Sequence, residues 1–181
     1  MLSNNQLAKL RSDIRFTAEL GGRTLVFHST WGLFSPREID EGTLLLLRHI
    51  EVNPDDDCLD LGCGYGPIGL SLAVRYSNGN AERNGIDNAH AQLSNGFDQI
   101  APDLRFDLIA SNVPAKVGKE MLSLYLHDAR ARLRQGGRLY LVSINGLRQF
   151  LKRNLTEVFG NYEKCKQGAH YTVALARKSL E

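Results

Sequence analysis

Cys58-Leu59-Asp60-Leu61-Gly62-Cys63-Gly64-Tyr65-Gly66-Pro67-Ile68-Gly69 is the stretch that decides the fold. A short apolar run ends in an acid and breaks into closely spaced glycines. The pattern predicts a buried first strand, a tight turn and the N-terminus of a helix. Glycines allow a ligand to approach the backbone without Cβ interference. The helix start behind them offers unpaired N–H groups. The stretch therefore reads as a cofactor-binding loop. Gly64-Tyr65-Gly66-Pro67-Ile68-Gly69 also satisfies the dinucleotide pattern G-x-G-x-x-G. That match is weak alone, and a plain glycine-rich turn is the structural alternative.

The chain has 181 residues, enough for one domain with a sizeable core. Hydrophobic residues make up 43% and charged residues 23%, which is ordinary for a globular protein. No apolar run approaches the length of a membrane span, and Met1 to Leu10 lacks a signal-peptide core. Cys58, Cys63 and Cys165 are odd in number and have no metal-like second pair. They read as reduced structural thiols of a cytoplasmic protein. The histidines at 28, 49, 90 and 127 are scattered, so no metal is expected. His170 beside Tyr171 is assigned no catalytic role. A net charge of +2 neither demands nor forbids a nucleic-acid partner.

Around the glycine loop, strand and helix patterns alternate. Asp13 to Leu20 and Arg23 to Ser29 flank Gly21-Gly22 and predict a hairpin. Ser35-Pro36 with Glu38 predicts a helix start, followed by an apolar stripe through Leu44, Leu45, Leu47 and Ile50. Strands are expected at Asp57 to Leu61, Ala89 to Leu93, Phe106 to Ser111 and Arg138 to Ile144. Helices are expected at Pro67 to about Tyr76, Lys119 to Arg134 and Leu147 to Phe159. Tyr162 to Lys166 and His170 to Arg177 close the chain as an antiparallel pair. The alternation implies an α/β, doubly wound, mainly parallel sheet, with its ligand beyond the carboxyl ends of the strands.

One part of that pattern is missing. After the first helix the chain runs directly into Asn78-Gly79-Asn80-Ala81-Glu82-Arg83-Asn84-Gly85, which reads as the end of a second helix. A strand and most of a helix, roughly 15–20 residues by crossover geometry, are absent. That strand would pair beside the first and end in the acid that binds ribose hydroxyls. Ser77 and Asn78 are therefore expected not to be neighbours in the complete protein.

Asp60-x-Gly62-x-Gly64-x-Gly66 resembles motif I of class I S-adenosylmethionine (SAM) methyltransferases. Asn112-Val113-Pro114, at the end of the Asp107-Leu108-Ile109-Ala110-Ser111 run, resembles the Asn-Pro-Pro-aromatic motif IV of amino-group methyltransferases. Val113 stands for the first proline and Ala115 for the aromatic, so any base stacking must come from elsewhere, with Phe34 or Tyr171 as candidates. The alternative is an ordinary strand-to-loop turn. Trp31-Gly32-Leu33-Phe34-Ser35, Asp40-Glu41-Gly42-Thr43, Gly118-Lys119 and the Gly168…Tyr171 ending extend the likeness over nearly the whole chain.

Together these resemble the small-domain methyltransferases, which include catalytic domains of ribosomal-RNA guanine-N2 methyltransferases. The resemblance implies a Rossmann-like class I fold over residues 1–181, with residues 1–35 as a hairpin extension. It implies SAM as cofactor, held by Asp60, Gly62, Cys63, Gly64 and Gly66, with Phe34 and Ser35 near it and Asn95 beside the adenine. It gives Asn112, Val113 and Pro114 the reacting amine and RNA as partner, with methylation of an exocyclic base amine, guanine N2, as the reaction. Arg148, Lys152 and Arg153 form a basic helical cluster that is either a solvated face or a phosphate contact, which Lys9, Arg11 and Arg15 would extend. A protein or small-molecule amine methyltransferase is the second reading. A non-catalytic RNA- or partner-binding domain is the third.

Overall fold

The structure, a computed structural model, describes residues 12–31, 33–62, 67–114 and 118–180, the side chains of 67–73 excepted. Its contacts divide the chain into two compact units, Met1–Asp40 with Cys63–Leu93, and Glu41–Gly62 with Ser94–Glu181.

The first unit begins with the expected hairpin. Strands β1 (Ile14–Leu20) and β2 (Arg23–Ser29) pair antiparallel in unbroken register from Ile14 opposite Ser29 to Leu20 opposite Arg23. Gly21 and Gly22 both take positive φ, 57° and 75°, which a two-residue hairpin turn requires. Phe16 and Phe27 stack across the pair with ring centroids 5.3 Å apart.

Helix α2 (Pro67–Arg83) belongs to the same unit and runs on through Ser77 and Asn78, past the expected end near Tyr76. Two of its asparagines, and Asn84 just past its end, act as backbone surrogates. Asn80 Oδ1 accepts from the His28 N–H at 2.8 Å while its Nδ2 donates to the His28 carbonyl. Asn84 does the same to Val26, and Asn78 to Ala91. The helix ends as its Asn84-Gly85 predicts: Gly85 takes φ 66° and donates to Glu82, and Ile86 donates to Ala81. Ala89 to Leu93, expected as a strand, forms none. A strand needs a neighbour to pair with, and Ala91 has found the Asn78 amide instead.

The second unit holds a five-stranded sheet in the order β3-β4-β5-β7-β6. Strands β3 (Cys58–Asp60), β4 (Phe106–Asn112) and β5 (Leu133–Ile144) are parallel. Strand β7 (Tyr171–Arg177) lies antiparallel between β5 and β6 (Glu163–Gln167). Around them are α1 (Glu41–Leu47), α3 (Lys119–Arg132) and α4 (Arg148–Phe159), the last entered by a 3-10 turn at Asn145–Leu147.

Alternation along the strands feeds two apolar layers. Ile109, Leu139 and Leu141 join Leu122 and Leu126 of α3 and Leu151 and Leu155 of α4. Leu108, Tyr140 and Val142 join Leu46 of α1, Val173 and Leu175 in the other. Full burial of side chains of this size stabilises the fold by roughly 1.5–3 kcal/mol each. Covering both faces of parallel strands is the doubly wound arrangement the sequence predicts.

Three local expectations are corrected. The helix near Ser35 begins at Glu41 instead. Ser35 takes φ 45° and donates its hydroxyl to the Glu38 carbonyl at 2.8 Å, so it closes a turn and does not cap a helix. Gln135-Gly136-Gly137 lies inside β5, which starts at Leu133 opposite Phe106. A Cβ on Gly137 would meet the Arg134 carbonyl oxygen at 2.8 Å, so this bend needs glycine. The first strand, expected buried, is the margin of the sheet, and Cys58 on it is exposed.

Candidate functional site

The site is built at the carboxyl ends of β3 and β4. Parallel pairing sets Cys58 opposite Leu108, Leu59 opposite Ile109 and Asp60 opposite Ala110, and the Leu61 N–H donates to the Ala110 carbonyl at 2.8 Å. This register brings the acid of one strand beside the Ser111-Asn112 end of the other. A Cβ added to Gly62 would lie 3.7 Å from Asp60 Oδ1, 3.9 Å from Ser111 Oγ and 4.0 Å from the Asn112 backbone nitrogen. The hydrogen of Gly62 thus leaves a small hollow walled by a carboxylate, a hydroxyl and a peptide edge. Dense surroundings on its sheet side push the Asp60 carboxyl above the usual carboxylate range, although the residue stays open along the sheet margin.

Asn112 is half-buried and its side chain is held. Its Nδ2 donates to Thr43 Oγ1 of α1 at 3.0 Å, which anchors the amide to that helix. Val113 is buried and its N–H donates to the Val142 carbonyl at 2.8 Å, tying the turn to β5, while Pro114 is exposed. Thr43 and Ser111 were not singled out as site residues by the sequence. The only available signal for Thr43 was its place in the Asp-x-Gly-Thr segment.

Other expected residues stand as follows. Cys63, Gly64 and Gly66 lie outside the described residues, as does Ala115. Phe34, 73% exposed, and Ser35 belong to the first unit and are described with it. Asn95 sits on an exposed turn, its amide donating to Asp98 Oδ2 at 3.1 Å.

Charge is segregated along the sheet. At the amino ends of the strands the cations are neutralised: Arg134 pairs with Asp57 and Asp107, and Arg138 with Asp56. Beyond the carboxyl ends, Lys119 at the start of α3 and Arg148, Lys152 and Arg153 on α4 enter no ion pair among the described residues. Lys119 Nζ and Arg153 Cζ each lie 5.9 Å from the centroid of the Phe150 ring, so an aromatic face sits between two cations. No described helix is long and apolar enough to cross a membrane.

A mainly parallel sheet with helices on both faces, Gly62 following its first parallel strand and Asn-x-Pro the next, matches the architecture of class I methyltransferases. The profile of the methyltransferase small domain family matches residues 24–80 and 71–175, two stretches that overlap at 71–80. The protein is thus a member of the methyltransferase small domain family, whose cofactor is SAM.

It is 34% identical over 141 residues to the Bacillus subtilis protein YbxB, covering 68% of this chain and 70% of that one. It is 32% identical over 160 residues to ribosomal RNA small subunit methyltransferase C of Hamiltonella defensa, covering 78% of this chain and 47% of that enzyme. Among solved structures, the Thermus thermophilus 16S rRNA N2 G1207 methyltransferase, in complex with AdoMet and guanosine, superposes with a TM-score of 0.78 at 28% identity. That match covers 92% of this chain and 50% of the Thermus chain. The chain thus spans about half the length of these two ribosomal-RNA enzymes.

The alignments are longer than the part of this chain they contain. The Bacillus alignment runs over 141 residues but takes in 68% of the 181 here, about 123, which leaves about 18 relative residues without a counterpart. The Hamiltonella alignment takes in 78%, about 141 residues of its 160, which leaves about 19.

Proposed function

We propose that this chain transfers a methyl group from SAM to an exocyclic base amine of RNA, guanine N2 in ribosomal RNA. The observation that carries the reading is the Asp60–Gly62–Asn112 constellation at the ends of β3 and β4, with the Asn112 amide oriented by Thr43.

The residues fit the amino-acid end of the cofactor. Gly62 leaves the hollow, and Asp60 supplies a carboxylate whose ionised form a cationic ammonium would stabilise. Cys63, Gly64 and Gly66 follow in the sequence, and the motif resemblance gives them, with Phe34, Ser35 and Asn95, to the same cofactor. When bound, the cofactor supplies a methyl group on a sulfonium, so the electrophile is not the protein's task.

The chain's task is to hold a weakly nucleophilic amine in line at about 3–3.5 Å. The Asn112 side-chain oxygen and the Val113 carbonyl accept the two amine hydrogens, with Pro114 stiffening the turn. Both acceptors face positive charge as it develops on nitrogen and so favour the transition state over the ground state. The excess proton leaves to solvent after transfer, and no general base is needed before it. Lys119 and Arg153, which flank Phe150, with Arg148 and Lys152 on the same helix as Arg153, supply phosphate contacts beside the reacting end. The Thermus enzyme's N2 chemistry, at 28% identity, supports guanine as the base.

The test is transfer of labelled methyl from SAM to unmodified ribosomal RNA, to protein and to small amines. Label in guanine N2 supports the reading. Label in protein or a small amine would install the second reading. RNA binding without any transfer would install the non-catalytic one.

A further inference from the structure

We propose that this chain carries one wall of the cofactor crevice and lacks the other: the strand that would flank β3, with the ribose-binding acid at its end, is missing at the Ser77–Asn78 junction. The inference rests on the SAM reading above.

Open α/β sheets bind their ligands where the strand order reverses about the first strand, because the loops diverge there and leave a crevice. In β3-β4-β5-β7-β6 the strand before the glycine loop is marginal, so among the described residues the order never reverses. Strand β3 is only three residues long and exposes Cys58 and Asp60, whereas β4 beside it is buried through Leu108 and Ile109. A parallel strand in such a sheet is ordinarily covered on both faces.

Ala89 to Leu93 carries the same mark. In a 3-2-1-4-5 order the third strand pairs only with the second. Remove the second and the third has no ladder, and here Ala91 satisfies its N–H and carbonyl on the Asn78 side chain. The helix between them reads as two joined halves. Asn78-Gly79-Asn80 lies in its interior, and these residues are poor helix formers. Over their whole length the two alignments exceed the part of this chain they contain by about 18 and about 19 positions, a total equal to one strand and most of a helix. The family profile breaks into two overlapping stretches at residues 71–80, across the same junction.

On that reading Asp60 and Gly62 hold the amino-acid end of SAM, and among the described residues no strand flanks β3 to present an acid to the ribose. The experiment compares this chain with a variant carrying the corresponding segment of the Bacillus protein between Ser77 and Asn78. Two readouts are taken, SAM binding by calorimetry and the rate of Cys58 modification by a thiol reagent. The expected result is slower Cys58 labelling in the variant and SAM binding tighter by about tenfold or more, the effect of one charge-assisted hydrogen bond.

Equal Cys58 reactivity together with equal SAM affinity would overturn the inference. Protected Cys58 with no SAM binding in either protein would support the missing strand and overturn the cofactor reading. Should the variant not fold, amide exchange on the unaltered chain decides. Fast exchange from Ala89 to Leu93 except at Ala91, whose N–H the Asn78 amide holds, supports the inference, and strand-like alternating protection there overturns it.

Discussion

Asn112 Nδ2 donates to Thr43 Oγ1 at 3.0 Å, so the end of β4 is tied to the first turn of α1. That contact holds the amide at the strand end, where an incoming amine would meet it. Asn112→Ala should lower kcat by about 10²–10³, as for other lost transition-state acceptors, with little change in SAM affinity. Thr43→Val should lower kcat by about tenfold through loss of one orienting hydrogen bond, and Thr43→Ser should restore it. Single-turnover kinetics beside calorimetry separate the two effects. Equal loss of SAM affinity in Asn112→Ala would refute the assigned role.

Asp60 predicts a pH dependence of cofactor binding. Its carboxyl is held above the ordinary range by its surroundings, so the ligand-free fold favours the protonated form and loses that preference as pH rises through the raised pKa. A cationic ligand favours the ionised form. SAM affinity should therefore increase as pH rises through that pKa, with proton release on binding. Asp60→Asn should bind weakly and without this dependence, and calorimetry in buffers of different ionisation enthalpy reads both.

Arg138 and Asp56 pair with side chains only 11% and 8% exposed. Burial alone would raise the Asp56 carboxyl, but hydrogen bonds from the Asn53 N–H and amide, together with Arg138, outweigh it and hold it below the usual range. A depressed carboxylate stabilises the fold above its unfolded pKa and loses that contribution as pH falls through the folded one. Arg138→Met should cost about 3 kcal/mol by leaving Asp56 buried without its partner. Urea titration at neutral pH and again in acid should show the difference shrinking in acid.

The unpaired cations beyond the strand ends predict salt-sensitive RNA binding. Replacing Arg148, Lys152 and Arg153 by Gln should reduce the slope of log affinity against log salt by about 2–3, at about 0.7–0.9 per phosphate contact. SAM affinity should be unchanged. An unaltered slope would make the cluster a solvated face.

Local chemistry made much of this protein legible from its residues. Gly21-Gly22 dictated the hairpin because only glycine enters two successive positive φ at no cost. Apolar periodicity placed β4, α3, β5, α4 and the closing β6–β7 pair, since burial selects one face per period. Resemblance to methyltransferase motifs pointed to Asp60, Gly62 and Asn112, and the register of β3 and β4 brings these strand ends together.

Tertiary structure decided the rest. Which strand is marginal depends on neighbours, so the exposure of Cys58 followed from sheet order and not from its apolar setting. Ala89 to Leu93 has strand-like alternation but no partner to give it a ladder. The amides of Asn78, Asn80 and Asn84 found backbone partners up to 58 residues away, and Thr43 found Asn112 across 69. A side-chain hydrogen bond carries no periodicity that a linear chain could display, and only the folded arrangement reveals its partner.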